Sequence, residues 1–219
     1  MPECERRVMT EPGQIIILNG APRSGKSSIA KVIQETFDGV WMNLGVDAYI
    51  LEITPKKFRP GIGLRPGGEG PGLEPMIPAW YAALYESIAA HSRLGLNVVV
   101  DVGHHDSYTK PLRILPDCAR RLAGLPVFFV GVRCAIEEIM RRRNVGQPGR
   151  ATRYETSTAN EPVPATVLRF QEEVHKPGIY DLEVDTTNAT PSESAELIRK
   201  RLEAGVQSPT AFERLAKLL

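Results

Sequence analysis

The sequence predicts an α/β fold in three layers: a mostly parallel, doubly wound five-stranded sheet with helices on both faces. Three observations carry that expectation. Apolar, β-branched runs of strand length recur along the chain, most clearly at 14–19, 96–101 and 126–132. They are too uniformly hydrophobic for strands with one wet face, so they fit a sheet buried on both sides. They alternate with amphipathic segments of helical period, the pattern of right-handed β-α-β crossovers.

Taken in order, Gln14-Ile-Ile-Ile-Leu-Asn19 is the first strand, Gly20 to Gly25 a loop, and Lys26 to Thr36 a helix with Ile29, Val32 and Ile33 on one face. The second strand is expected over Val40 to Val46, ending at Asp47, with a short helix over Ala48 to Ile53. A helix from Pro78 to Leu94 has proline in its first turn, where a missing N–H costs nothing, and Gly95 at its end. It leads to the third strand, Leu96 to Asp101, and the fourth, Pro126 to Val132, runs into a helix over Ala135 to Arg143. The fifth strand, Leu182 to Asp185, precedes a helix from about Thr190 to Leu202. Ser208 as N-cap with Pro209 in first position would open a short C-terminal helix. The organisation that follows is a tail (1–13), one domain (14–206) with a lid or insert at about 141–165, and the C-terminal helix (207–219).

Two segments break this rhythm, Arg59 to Pro78 and Asn144 to Pro164, and they hold much of the chain's 19 Gly and 18 Pro. Long loops inside a compact domain are usually functional, and these two are expected to flank and close an acceptor pocket. The 219 residues suit one domain, and 42% hydrophobic with 24% charged residues is enough for a real core. The balance of 27 basic and 26 acidic residues gives +1, which disfavours nucleic acid or an anionic membrane as a partner held by bulk charge. Anion recognition must then be local. Cys4, Cys118 and Cys134 are far apart and form no metal or redox motif, as in a reducing compartment. With neither a signal-like N-terminus nor an 18-residue apolar run, the expected location is cytoplasmic, with no membrane segment.

The sharpest motif is Gly20-Ala21-Pro22-Arg23-Ser24-Gly25-Lys26-Ser27, with Ser28 following. It fits G-x-x-x-x-G-K-[ST] between a strand and a helix. Glycines let the backbone wrap a phosphate, successive N–H groups and the helix N-terminus face the anion, Lys26 reaches the outer phosphates, and the Ser27 hydroxyl can take a Mg²⁺ position. This predicts a P-loop NTPase fold. Asp47, beyond a strand's carboxyl end, is placed to accept a proton from a substrate hydroxyl, or else caps the helix after it. Asp101 closes Val98-Val-Val-Asp, as in a Walker B strand, and is a candidate for holding Mg²⁺ or substrate or for satisfying a neighbouring loop. His104 and His105 follow it, and His104 is a candidate substrate contact. Six arginines lie between Arg133 and Arg153. Glu137 and Arg141 fit a surface i,i+4 pair, while Arg142, Arg143 and Arg150 are candidates for touching phosphate. Asp185 and Thr186 sit at a strand exit, beside the nucleotide base or in local turn bonds.

Taken together, Ile16-Ile-Leu-Asn-Gly20, Gly25-Lys-Ser27, Gly45-Val-Asp47, Val130-Gly-Val-Arg-Cys134, Val174-His175 and Tyr180-Asp-Leu-Glu-Val-Asp-Thr-Thr187 resemble the chloramphenicol phosphotransferase family in content and order. The resemblance implies an ATP- and Mg²⁺-dependent O-phosphotransferase with a nucleoside-monophosphate-kinase-like fold and a small-molecule hydroxyl acceptor. It implies Asp47 as the general base, Gly20 to Ser27 as the nucleotide loop and Arg150 as a lid arginine. It weakens at Arg59 to Pro78, at Gly103-His-His-Asp106 and at Ala151 to Pro164, where an acceptor would be chosen. A kinase for a nucleoside, sugar or other antibiotic, and a non-catalytic nucleotide-binding module, are the alternatives. GTP is disfavoured because there is no Asn/Thr-Lys-x-Asp element.

Overall fold

The computed structural model describes residues 11–66, 70–145 and 155–218. The first apolar run forms β1 (Ile15–Asn19) at the centre of a five-stranded parallel sheet. Across the sheet the strands run β2 (Trp41–Asn43), β3 (Asn97–Val102), β1, β4 (Val127–Arg133) and β5 (Leu182–Asp185). Ile15 pairs with Val98 on one side and Val127 on the other, and Asn19 with Val102 and Gly131. The chain therefore fills one side of β1 before crossing to the other. The crevice beyond the carboxyl ends of β1, β3 and β4 is the switch point where such sheets bind ligands.

Alternate residues feed two opposite cores. Ile16, Leu18, Val99, Phe128 and Val130 pack against α1 (Lys26–Thr36) and α7 (Pro191–Glu203). Ile15, Ile17, Val98, Val100 and Phe129 pack against α3 (Ile77–Arg93), α4 (Ile114–Arg121) and α8 (Ala211–Leu215). A smaller cluster joins Ala21 and Cys134 to Ile139 and Met140 of α5 (Ile136–Val145) and to Val167 and Phe170 of α6 (Ala165–Glu173). The three-layer α/β expectation thus holds.

Several local expectations are corrected. The second strand stops at Asn43, because Gly45 turns the chain into α2 (Val46–Ala48), followed by a π-turn over Tyr49–Ile53. The stretch from Arg59 to Pro78 is partly built: short 3₁₀ turns at Gly61–Gly63 and Pro71–Met76 bury Ile62 and Leu64 in the main core. α4 and α6 stand where no helix was expected. α8 is capped by Thr210 rather than Ser208: Thr210 accepts from Glu213 N while the Glu213 carboxylate accepts from Thr210 N, satisfying two orphan donors reciprocally. Arg141 pairs with Glu138, one turn earlier, rather than with Glu137. No helix among the described residues is long and apolar enough to cross a membrane.

Candidate active site

The loop after β1 and the first turn of α1 form the floor of a cleft of about 790 Å³. Gly25 holds the bend at φ 94°, a left-handed conformation that side-chain-bearing residues rarely adopt, and serves as N-cap of α1. Lys26 Nζ donates to Gly20 O at 2.7 Å and to Ala21 O at 2.8 Å, clamping the loop around the place an anion would occupy. Burial pulls its pKa down to about 8, against the opposing pull of the Asp101 and Asp47 carboxylates. Gly20, Pro22, Arg23, Gly25, Lys26, Ser27 and Ser28 all line the cleft, whereas Ala21 and Ser24 are buried beneath it.

Opposite the loop, Ser27 Oγ donates to Asp101 Oδ2 at 2.5 Å. Gly45 makes this contact possible: a Cβ there would sit 1.8 Å from Asp101 Oδ1. Two hard oxygen donors are thus brought together at the mouth of the phosphate loop, the type Mg²⁺ prefers. Among the described residues no group of three or more His, Cys, Asp or Glu could hold a metal unaided. A Mg²⁺ ion here would need phosphate oxygens and water to complete its shell, which is how such ions bind beside nucleotides. Asp47 lines the same cleft from the first turn of α2, whose N-cap is Gly45, so the capping position belongs to the glycine.

The cleft has two unlike ends. At one, Arg142 and Thr186 meet: the Arg142 fork donates to Thr186 O at 2.6 Å and Arg23 O at 3.2 Å, and its Nε to Glu138 at 2.7 Å. Thr186 Oγ1 in turn donates to Ser24 O at 2.7 Å. Arg141 and Arg142 together hold the Glu138 carboxyl down at about 2. The other end is mostly apolar, walled by Val46, Ile62, Leu64, Tyr81 and Phe170, with Arg65 beside them. Ile62, Leu64 and Arg65 come from the segment Arg59 to Pro78 and Val46 from Gly45-Val-Asp47, both marked in the sequence, whereas Tyr81 and Phe170 were not singled out.

Three further candidates sit elsewhere. His104 is buried behind the wall rather than in it: its ring stacks on Tyr81 at 4.7 Å and its Nε2 meets Tyr85 OH at 2.7 Å. Burial pushes its pKa to about 3, so it stays neutral. Its backbone N–H donates to Asn19 Oδ1, and Asn19 Nδ2 reaches Val174 O and Tyr180 OH, so a strand-end amide ties three loops beneath the cleft. Arg143 is buried and donates to Glu155 O at 3.2 Å, away from the phosphate loop. Asp185 is exposed and accepts from Thr187 N, while Thr186 faces the cleft. Arg150 and Cys4 lie outside the described residues.

A family model described as chloramphenicol phosphotransferase-like protein matches residues 13–203. The chain belongs to the chloramphenicol phosphotransferase-like family. A Mycobacterium tuberculosis protein provisionally named an O-phosphotransferase is 28% identical over 221 residues, covering 94% of this chain and 88% of that one. Among solved structures, the M. tuberculosis APS kinase in complex with AMPPNP and APS superposes with a TM-score of 0.57 at 16% identity, covering 88% of this chain and 98% of that one. Shikimate kinase from Acinetobacter baumannii, in complex with shikimate, gives 0.54 at 11% identity, with 89% and 95% covered. At such identities these two likenesses establish the fold alone, that of P-loop kinases. The family membership makes the chain a member of a phosphotransferase-like family.

Proposed function

We propose that this protein transfers the γ-phosphoryl group of ATP to a hydroxyl of a small molecule, as a chloramphenicol-phosphotransferase-like O-kinase. One observation carries the reading: Lys26, Ser27, Asp47 and Asp101, from three separate elements, converge on one cleft whose far wall is apolar. Bound beside Ser27 and Asp101, Mg²⁺ would neutralise charge on the transferring phosphate. The loop N–H groups and Lys26 hold the donor phosphates, with Lys26 exchanging its two carbonyl partners for phosphate oxygens. The base lies towards Thr186 and Arg142, and the lid arginines, Arg150 by resemblance, assist on the phosphate side. Asp47 orients the acceptor hydroxyl and takes its proton as the new O–P bond forms and ADP leaves. The acceptor's apolar body rests on Tyr81, Ile62 and Phe170. A small-molecule acceptor suits a cleft of this size, and a nucleic acid does not suit a net charge of +1.

The test is ADP release from Mg²⁺-ATP against a panel of hydroxylated acceptors that includes amphenicols, nucleosides and sugars. Asp47→Asn should keep AMP-PNP affinity within a few-fold and lose about 10²- to 10⁴-fold in acceptor-dependent turnover. Wild-type turnover in that variant would remove Asp47 as the base. Tight nucleotide binding with no acceptor stimulation by any compound would favour the regulatory module instead.

A further inference from the structure

One side chain of the cleft's apolar wall carries a hydroxyl. Val46, Ile62, Leu64 and Phe170 offer an acceptor only hydrocarbon from their side chains, whereas Tyr81 brings a phenol. Tyr81 stands on the inner face of α3 with Ile77, Leu84, Tyr85 and Ile88, and only 2% of it is exposed.

A phenol so deeply buried ordinarily finds a hydrogen-bond partner, because leaving it unpaired forfeits the hydration it gave up on folding. Its neighbours follow that rule. Tyr85 OH meets His104 Nε2 at 2.7 Å, and Tyr180 OH lies 2.9 Å from both Asn19 Nδ2 and His175 Nδ1. The Tyr81 hydroxyl has no hydrogen-bond partner among the described residues. Nor is its oxygen sealed in, as His104 Nδ1 is, so its open side is the cleft that Tyr81 lines.

The ring is also held still. It stacks on His104 at a centroid distance of 4.7 Å, and Tyr85 lies tilted beside it at 6.5 Å. His104 is itself fixed, by Tyr85 through its ring and by Asn19 Oδ1 through its backbone N–H at 2.8 Å. A donor fixed before binding loses little conformational freedom when it is used, so little of its hydrogen bond is spent on ordering the side chain. Burial pushes the phenol well above its ordinary pKa, so it stays protonated and able to donate.

We propose that Tyr81 OH is a specificity-determining contact that donates to a second oxygen of the acceptor, a hydroxyl or a carbonyl, distinct from the hydroxyl that is phosphorylated. The proposal rests on the phosphotransferase reading above and narrows its substrate class. The acceptor then carries one oxygen at Asp47 and another at Tyr81, joined by a body apolar enough to lie against Ile62 and Phe170. A site built to hydrogen-bond an oxygen rejects the analogue that lacks it more sharply than an apolar pocket discriminates by size. An alcohol with no second oxygen, such as benzyl alcohol, is therefore a poor substrate.

The experiment measures kcat and KM for acceptor-dependent ADP release by wild type and Tyr81→Phe. The acceptors are the amphenicols, nucleosides and sugars, followed by analogues of the best of them that each lack one oxygen other than the phosphorylated one. Tyr81→Phe should raise the acceptor KM by about 5- to 100-fold, with kcat falling less than about threefold. One analogue should suffer the same loss with wild type and no further loss with Tyr81→Phe, which identifies the oxygen that Tyr81 holds. Because the hydroxyl has no protein partner, ligand-free Tyr81→Phe should melt within about 2 °C of wild type and bind AMP-PNP equally well. An unchanged acceptor KM in Tyr81→Phe, the result expected of a hydroxyl that holds only a water, overturns the proposal and leaves the kinase reading intact. So does a ligand-free melting point lowered by about 5 °C or more, which makes the hydroxyl structural. Absence of ADP release with every acceptor overturns both.

Discussion

Replacing Gly45 by alanine tests the geometry of the Ser27–Asp101 contact with a single methyl group. Gly45 has φ −61°, so alanine is conformationally acceptable and only space is at issue. The added carbon would lie 1.8 Å from Asp101 Oδ1 and 3.0 Å from its Cγ. Carbon–oxygen contacts tolerate about 3.3 Å at the closest, so roughly 1.5 Å must be found. The Asp101 backbone cannot supply it, since β3 is hydrogen-bonded between β1 and β2. The carboxylate must swing away and release Ser27 Oγ. Losing a charged hydrogen bond costs about 1.5–3 kcal/mol, and overpacking about 1–3 kcal/mol, for a total on the order of 2.5–6 kcal/mol. At about 2–4 °C per kcal/mol for a chain of this size, the midpoint of thermal unfolding should fall by roughly 5–24 °C. Mg²⁺-dependent nucleotide binding should weaken in parallel. Gly72→Ala is the control: nothing stands within 4 Å of its added carbon, so its effect should stay within about 0.5 kcal/mol. A Gly45→Ala protein with wild-type melting and wild-type Mg²⁺-ATP affinity would refute the reasoning.

Three further outcomes follow from the same structure. Lys26 has a folded pKa of about 8 against an ordinary value of 10.5, so between these pH values the unfolded chain binds more protons and stability should rise with pH as the buried charge is lost. Nucleotide phosphates restore that charge, so titration calorimetry near pH 8.5 in buffers of different ionisation enthalpy should register proton uptake on ATP binding, absent in Lys26→Ala. Thr210→Ala removes the cap of α8 and should cost about 1 kcal/mol in urea unfolding, with AMP-PNP affinity unchanged. Phe212→Ala empties a site between Tyr85 and Phe129 and should cost about 3–5 kcal/mol in urea unfolding.

The nucleotide half of the site was legible because it is local: eight consecutive residues and the strand and helix around them specify the loop. The strands were legible for a related reason, since Ile15 to Leu18 and Val127 to Val130 are buried on both faces and cannot be anything polar. Of the apolar wall, Ile62 and Leu64 fall within the segment Arg59 to Pro78 that the sequence marked, while Tyr81 and Phe170 were hidden. Ile62, Leu64, Tyr81 and Phe170 come from three distant segments, and each taken alone reads as core. Tyr81 falls in step with Leu84, Tyr85 and Ile88 on the buried face of α3. His104 misled for the converse reason: its place after Asp101 suggested a cleft, but the first residue beyond Gly103 turns inward to Tyr85. α4 escaped notice because it is short and carries Pro116 in its first turn, where proline removes no helical bond. The Thr210–Glu213 box was written in the sequence, but Ser208-Pro209 offered a competing start.

α8 has a consequence for how such chains are compared and cut. The family match ends at residue 203, yet the layer that seals one face of the sheet ends with Leu215. Asp181 holds both Phe129 N and Ala211 N, stitching this last helix to the middle of the molecule. A chain trimmed to the matched range would keep each cleft residue described above while baring Tyr85 and the edge of Phe129 to water. Changes in this last helix can therefore reset melting temperature or solubility while the residues at the opposite end of the strands stay as they are.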